Sequence, residues 1–387
     1  MNMKAIVEKN LDYIIERRRW YHQRPELSGE EKETRSQIKK DLEAIGIDDI
    51  REMEHCYGLV ATIHGGQEGK TIGLRTDIDA LPIVEETGLP FCATNGKMHA
   101  CGHDGHISVL LGAAKSLYEV RDQLKGQVRL IIQPAEEDAS GANSMVAEGA
   151  VEGLDAIYGN HIWGSLKAGK VDVTAGKRMA CAHLFKIRVE GVSAHGAEPH
   201  LGIDAITVST AIINNLQQIA SRRNNPVNPL VITIGKIEAG TRFNVIASKA
   251  IMEGTVRTFL EDETIEKEMR RIIDNTAAAF GAKAEMDYFY ATDAIINKDE
   301  ELNRIVQAAA DKVVAPEDRS SMQPLMGGED FSKLSKGEIP YFFAFVGTND
   351  TDHPYTNHHE KYTYNEELVL GRASALMAQV AYDFLNE

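Results

Sequence analysis

The chain has 387 residues, more than the roughly 250 to 300 at which a single hydrophobic core stops growing, so two domains are expected. Hydrophobic residues at 43% and charged residues at 26% exclude disorder and fibrous repeats. A formal net charge of −16 excludes the basic face that nucleic acid or an anionic membrane would require. The four cysteines, Cys56, Cys92, Cys101 and Cys181, are too few for a secreted disulfide scaffold, and a reducing cytoplasm is the expected location. Lys4, Glu8, Lys9 and Asp12 break the apolar run that a signal peptide would need, and no window approaches the roughly 18 apolar residues of a membrane span.

In chain order, Ile6, Leu11, Ile14 and Ile15 recur at helical spacing and predict a first helix that Pro25 stops. Ser28-Gly-Glu-Glu31 has the form of a capping box opening a second helix, which carries Ile38, Leu42 and Ile45 and ends at Gly46. Apolar runs at Leu59–Ile63, Thr71–Leu74, Val128–Ile132 and Ala156–Tyr158, with a helix from about Ile107 to Val120, predict an α/β domain whose sheet is buried on both faces. Asp77 and Asp79, Glu136 and Glu137, and His161 each follow one of these strands, where open α/β sheets keep their ligands.

From 182 to 290 the order becomes strand, helix, strand, strand, helix, strand, the pattern of a ferredoxin-like unit. Beyond Thr292 the chain returns to α/β, with a strand at Tyr341–Val346 and a closing helix from about Glu366 to Phe384. The expected fold is α/β: a discontinuous catalytic domain, 1–181 and 292–387, with a mixed, mostly parallel sheet flanked by helices. An inserted ferredoxin-like α+β domain would occupy 182–291.

The chemistry concentrates in His99-Ala-Cys101-Gly-His103-Asp104-Gly-His106, followed about thirty residues later by Glu136-Glu137. Thiolate, imidazole and carboxylate at this density are the donors of zinc-like ions, and an acidic residue beside a ligand is a base for water. The chain therefore reads as a metallohydrolase. A cysteine-nucleophile amidase using Cys101 and His103 is the rival from another class, but it leaves Glu136, Glu137, His161 and His358 without work. The chain lacks the P-C-x-x-C half of a zinc-deaminase signature and the G-x-S-x-G elbow of serine hydrolases.

Several motifs stand in one order: RTDIDALP (75–82), HACGHDGH (99–106), QPAEE (133–137), GNHIW (159–163), GVSAHGAEPH (191–200), FNVIASKA (243–250), GTVRT (254–258), GGEDF (327–331) and NHHEKYTYNEE (357–367). On these the chain resembles the aminoacylase-like metallopeptidase and amidohydrolase family, in the branch of hippurate hydrolase, N-acetyl-amino-acid deacetylases and auxin-conjugate hydrolases. The resemblance implies that Cys101, His103, Glu137, His161 and His358 bind two divalent ions, zinc or manganese, and that Glu136 is the general base. It gives Asp79 the task of orienting a ligand imidazole, work that Asp104 could equally do, and it sets Asp77 where the wider family has a histidine.

The resemblance further implies that 182–291 forms a homodimer interface and a lid. His195 would polarise the scissile carbonyl in the partner's active site, Asn244 and Arg257 would hold a substrate carboxylate, and Gly327 and Gly328 would let backbone approach the substrate. The implied activity is hydrolysis of N-acetyl or N-aroyl amino acids, with a dipeptidase or carboxypeptidase as the rival inside the class. Two departures stand out. After His358 the family's Pro and Phe-Asp are replaced by His359, Glu360 and Tyr362-Thr-Tyr364, and Gly164-Ser165 stand after Trp163 where a proline is common.

Overall fold

The computed structural model describes residues 1–260 and 262–387. The chain opens with α1 (Lys4–Lys9), α2 (Leu11–His22) and α3 (Lys32–Ile45), then β1 (Ile50–Glu52), β2 (Leu59–His64), β3 (Gln67–Asp77), α4 (His103–Glu119), β4 (Lys125–Gln133), α5 (Gly141–Ala147), β5 (Ala156–Lys167), β6 (Val171–Asp172) and β7 (Gly176–Met179). β8 (Cys181–Glu190), α6 (Ala205–Gln218), β9 (Leu230–Ala239), β10 (Lys249–Thr258), α7 (Thr264–Ala279) and β11 (Lys283–Tyr290) follow. The chain closes with β12 (Ile295–Asn297), α8 (Glu300–Val313), β13 (Arg319–Ser320), β14 (Tyr341–Asn349) and α9 (Glu366–Asn386). Two compact units result: Met1–Arg178 with Ile296–Gln323 and Asp330–Glu387, and Met179–Ile295 with Pro324–Glu329. Among the described residues no helix is long and apolar enough to cross a membrane.

The first unit is built on an eight-stranded sheet in the order β1-β2-β4-β3-β5-β14-β6-β13. Its four central strands, β4, β3, β5 and β14, run parallel. Such strands are covered on both faces and read as unbroken apolar runs; Tyr341 to Thr348 of β14 are all buried. Helix α4 is buried on almost every side, each of Val109, Leu110, Leu111 and Leu117 contributing about 1.5 to 3 kcal/mol. Gly112 is what lets α2 come so close to α4, because a Cβ there would lie 2.5 Å from Ile14 Cδ1. The mixed, mostly parallel sheet flanked by helices is the architecture expected.

Three local expectations fail, each through a partner outside the local pattern. The first helix is split at Asn10, whose side-chain amide donates to Ile6 O, Ser116 Oγ and Glu119 Oε1, giving the backbone an alternative to continuing the helix. The capping box is not formed: α3 starts at Lys32 with no cap from Ser28. Glu26 does that work, Oε2 accepting from Thr34 N at 2.7 Å and Oε1 from Glu33 N at 3.2 Å. Finally, His161 lies inside β5 rather than beyond it, because pairing with β14 carries the strand well past Tyr158. Gly46 ends α3 as expected, in the left-handed region at φ 105°.

The second unit is a four-stranded antiparallel sheet in the order β11-β8-β10-β9, with the ferredoxin-like succession of elements. Phe185, Ile187 and Val189 of β8 alternate inward. Val208, Ile212 and Leu216 of α6 and Ile265, Met269 and Ile273 of α7 share that core, each set at helical spacing. Asp204 caps α6, its Oδ1 accepting from Ile206 N at 3.0 Å.

Candidate metal centre

The first unit gathers its chemistry at the ends of its parallel strands. Asp77 closes β3, Glu136 and Glu137 follow β4, and His161 projects from β5. Cys101 and His103 flank Gly102, whose φ of 95° turns the chain into α4, while a Cβ at that position would lie 2.7 Å from Ile162 Cδ1. His358 precedes α9 with φ 68°, held there by donation of its N–H to Ala100 O at 2.8 Å.

These side chains converge. Cys101 Sγ lies 3.5 Å from His161 Nε2 and 3.3 Å from His358 Nε2. His358 Nε2 is 3.6 Å from Glu137 Oε1, and His103 Nε2 is 3.9 Å from both Glu137 Oε1 and Glu136 Oε2. Three triads, Cys101/His103/His161, Cys101/Glu137/His358 and His103/Glu136/Glu137, each place their donor atoms within 4.8 Å of one another. His103 Nε2 and Glu137 Oε1 are buried with no hydrogen-bond partner. Buried polar atoms are rarely left so, and a divalent cation satisfies both at once. The donor set thus fits paired metal ions.

The imidazoles are held in the orientation that metal binding needs. His103 Nδ1 faces Asp79 Oδ1 at 3.1 Å and Asp79 O at 3.0 Å, which turns Nε2 toward the carboxylates. His161 Nδ1 donates to Ile162 O at 2.6 Å, leaving the Nε2 lone pair toward Cys101. Burial, and next the adjacent His106, push His161 well below the ordinary imidazole value, so it is neutral. At His103 burial acts in the same sense, yet Asp77 and Asp79 outweigh it and raise the ring to about 10. These carboxylates favour positive charge at that point, which is also what a divalent ion brings.

Part of the site escapes sequence reasoning. His106 accepts from Ile162 N at 3.0 Å through Nε2 and donates through Nδ1 to Asp77 Oδ1 at 2.6 Å, so both its nitrogens are engaged. Arg75 Nη1 donates to Asp77 Oδ2 at 2.7 Å, its Nε to Gln133 Oε1 at 3.0 Å and its Nη2 to Asp330 Oδ1 at 3.3 Å. Burial opposes ionisation of Asp77, but His103, His106 and Arg75 hold its carboxyl well below the usual range. RTD and GGEDF signalled Arg75 and Asp330 individually; nothing local joins these two residues, 255 apart. Asp104 does not turn toward a candidate ligand. It pairs with Arg18 Nε at 2.8 Å and His22 Nδ1 at 2.7 Å, leaving Asp79 beside His103.

The remaining candidates lie in the second unit. His195 and Asn244 are exposed and neighbours through the backbone: His195 bridges to Val245, and Gly196 N donates to Asn244 O at 2.9 Å. Arg257 is half-buried on β10, with no carboxylate partner among the described residues. A Cβ at Gly328 would lie 2.7 Å from Ala182 Cβ and 2.9 Å from Arg257 Nη1, so the protein's own packing requires glycine there; at Gly327 it would meet only Met179 at an ordinary 3.5 Å.

A mostly parallel α/β sheet holding thiolate, imidazoles and carboxylates at its strand ends defines a metallohydrolase. The chain belongs to peptidase family M20/M25/M40, whose model matches residues 73–383, and it is a metal-dependent amidohydrolase. It is 41% identical over 391 residues to the N-acetyl-L-cysteine deacetylase of Bacillus subtilis strain 168, covering 99% of this chain and 90% of that protein. It is 36% identical over 400 residues to thermostable carboxypeptidase 1 of Saccharolobus solfataricus, covering 100% and 98%. Its fold matches the crystal structure of the Bacillus subtilis YXEP protein, described as a dinuclear metal binding peptidase of the M20 family. There the TM-score is 0.85 at 37% identity, over 97% of this chain and 98% of that one. The family read from the motifs is the family found.

Proposed function

We propose that the protein hydrolyses the amide bond of N-acyl amino acids, releasing a carboxylate and the free amino acid in the cytoplasm. The observation that carries this reading is Glu136 standing beside the convergent donors Cys101, His103, Glu137, His161 and His358. Those five would hold two divalent ions, zinc or manganese, which when bound supply a Lewis acid and lower the pKa of a water toward about 7. Glu136 takes the proton from the attacking water and delivers it to the leaving amine. Asp79 keeps His103 in its tautomer from a distance of 3.1 Å.

In this reading residues 182–291 are the dimerisation and lid domain. His195 of one subunit polarises the scissile carbonyl in the partner's active site. Arg257, a guanidinium without a carboxylate of its own among the described residues, clamps the substrate carboxylate with Asn244, a task its planar fork suits. Gly327 and Gly328 border the bound substrate. The likeness to a deacetylase of a blocked amino acid supports the acyl substrate; the likeness to a carboxypeptidase keeps cleavage of unblocked peptides as the second reading.

The test is hydrolysis of N-acetyl and N-benzoyl amino acids beside unblocked dipeptides, by metal-stripped enzyme before and after zinc or manganese is returned. Metal-restored activity on blocked substrates is expected. Restoration on dipeptides alone makes the protein a peptidase, and activity that survives metal removal but dies when Cys101 is alkylated makes it a cysteine-nucleophile amidase.

A further inference from the structure

Ser28-Gly-Glu-Glu31 has the residues of a capping box and caps nothing, since Glu26 occupies the start of α3. Its side chains are spent elsewhere. Glu31 Oε1 accepts from Ala135 N at 2.8 Å, and Ser28 Oγ donates to Asp79 Oδ2 at 2.7 Å. That same Asp79 oxygen accepts from Glu137 N at 3.0 Å. The two backbone amides flanking Glu136 are therefore both tied to this segment, one directly and one through Asp79. The segment is itself anchored, Ala80 N donating to Glu26 O at 2.8 Å beside the bridge between Leu27 and Ala80.

The tie at Ala135 has a particular job. Ala135 has φ 51°, a left-handed conformation that a residue with a Cβ resists. Glu31 is 0% exposed and Ala135 6%, so losing this acceptor leaves a buried N–H unpaired and removes what holds the turn. The side chain of Glu136 leaves the backbone one residue later, and a relaxed Ala135 would swing it.

We propose that Ser28-Gly-Glu-Glu31 is a clamp on the loop that carries the base, with Glu31 a positioning residue that fixes Glu136 through Ala135. The proposal rests on the reading of Glu136 as the base. Both are tested on whichever member of the substrate panel is turned over fastest. Glu31→Ala is expected to lower kcat about 100-fold, the scale of a misplaced reacting group, with KM and two metal ions per subunit retained. Glu31→Gln, which keeps the acceptor, restores kcat, whereas Glu26→Ala weakens the α3 cap and lowers Tm while kcat stays. Should Glu31→Ala fail to fold, Glu31→Met keeps the volume and removes the acceptor, and the same kcat loss is expected.

Wild-type kcat in the folded variant, a loss explained by missing metal, or failure of Glu31→Gln to recover overturns the clamp. Glu136→Gln run alongside separates the two ideas. If it stays active, the base assignment falls and the clamp with it; if it is dead while Glu31→Ala is fully active, the clamp alone falls.

Discussion

The two units treat their polar residues in opposite ways. In the first, Asp77, Asp79, His103 and Asp104 are fully buried and every one meets an opposite charge or a hydrogen-bond partner within about 3 Å. In the second, His195 and Asn244 are exposed, and Phe243 beside them is 94% exposed. Buried charges survive only when paired, so the first unit's site is held in place by the protein's own contacts. Exposed side chains are solvated and acquire fixed partners only on binding. Substitutions among these buried groups should therefore disturb metal, stability and rate together, and those at His195 and Asn244 should disturb rate alone.

The largest effect expected is in Glu136→Gln, which should lower kcat by about 1,000-fold while metal analysis still finds two ions per subunit; loss of the ions would make Glu136 a ligand. Next, His195→Ala should lower kcat about 100-fold, the scale of one lost carbonyl-polarising donor, with an unchanged melting curve. A lower Tm would erase the contrast between the units. Asp79→Asn should then weaken metal binding by about 10- to 100-fold, read by competition with a chelator, and should lower Tm as well.

The smallest effect concerns pH. Burial raises the Glu31 carboxyl from its ordinary 4.5 to about 7. Below pH 4.5 folded and unfolded chains both hold this proton. Between 4.5 and 7 the unfolded chain releases it first, so stability is lost as pH rises through that window. Glu31→Gln has no proton to lose. Its Tm should match the wild type near pH 4 and exceed it increasingly toward pH 8, and a constant offset would contradict the buried carboxyl.

Where structure is set by near neighbours it was legible. The six elements of the second unit follow local periodicity, and β11 has the bounds expected of it, Lys283–Tyr290. Cys101 and His103 announce themselves because donors two residues apart are an unusual local density. What stayed hidden depends on distant partners. Asn10 ends a helix because Ser116 and Glu119 await its amide, and Ser28 forsakes capping because Asp79, 51 residues on, lies within 2.7 Å. Helix α8 is the exception, a helix not among the expected elements although Leu302, Ile305, Val306 and Ala309 form a regular buried stripe. The pairing of His106 with Asp77 could not be read from spacing, since all three histidines of HACGHDGH look alike until their surroundings are known.

The strand order also dictates a schedule on the ribosome. The second unit's four strands have all been made by Tyr290, and its first and last, β8 and β11, are immediate neighbours. The large sheet must wait, because β14 inserts between β5 and β6 and is synthesised only from Tyr341 onward. Until then β5 presents an unpaired edge of the kind that invites wrong association during translation. His358 emerges later still, so a nascent chain that has already made Cys101, His103, Glu137 and His161 lacks one of the five convergent side chains throughout that interval.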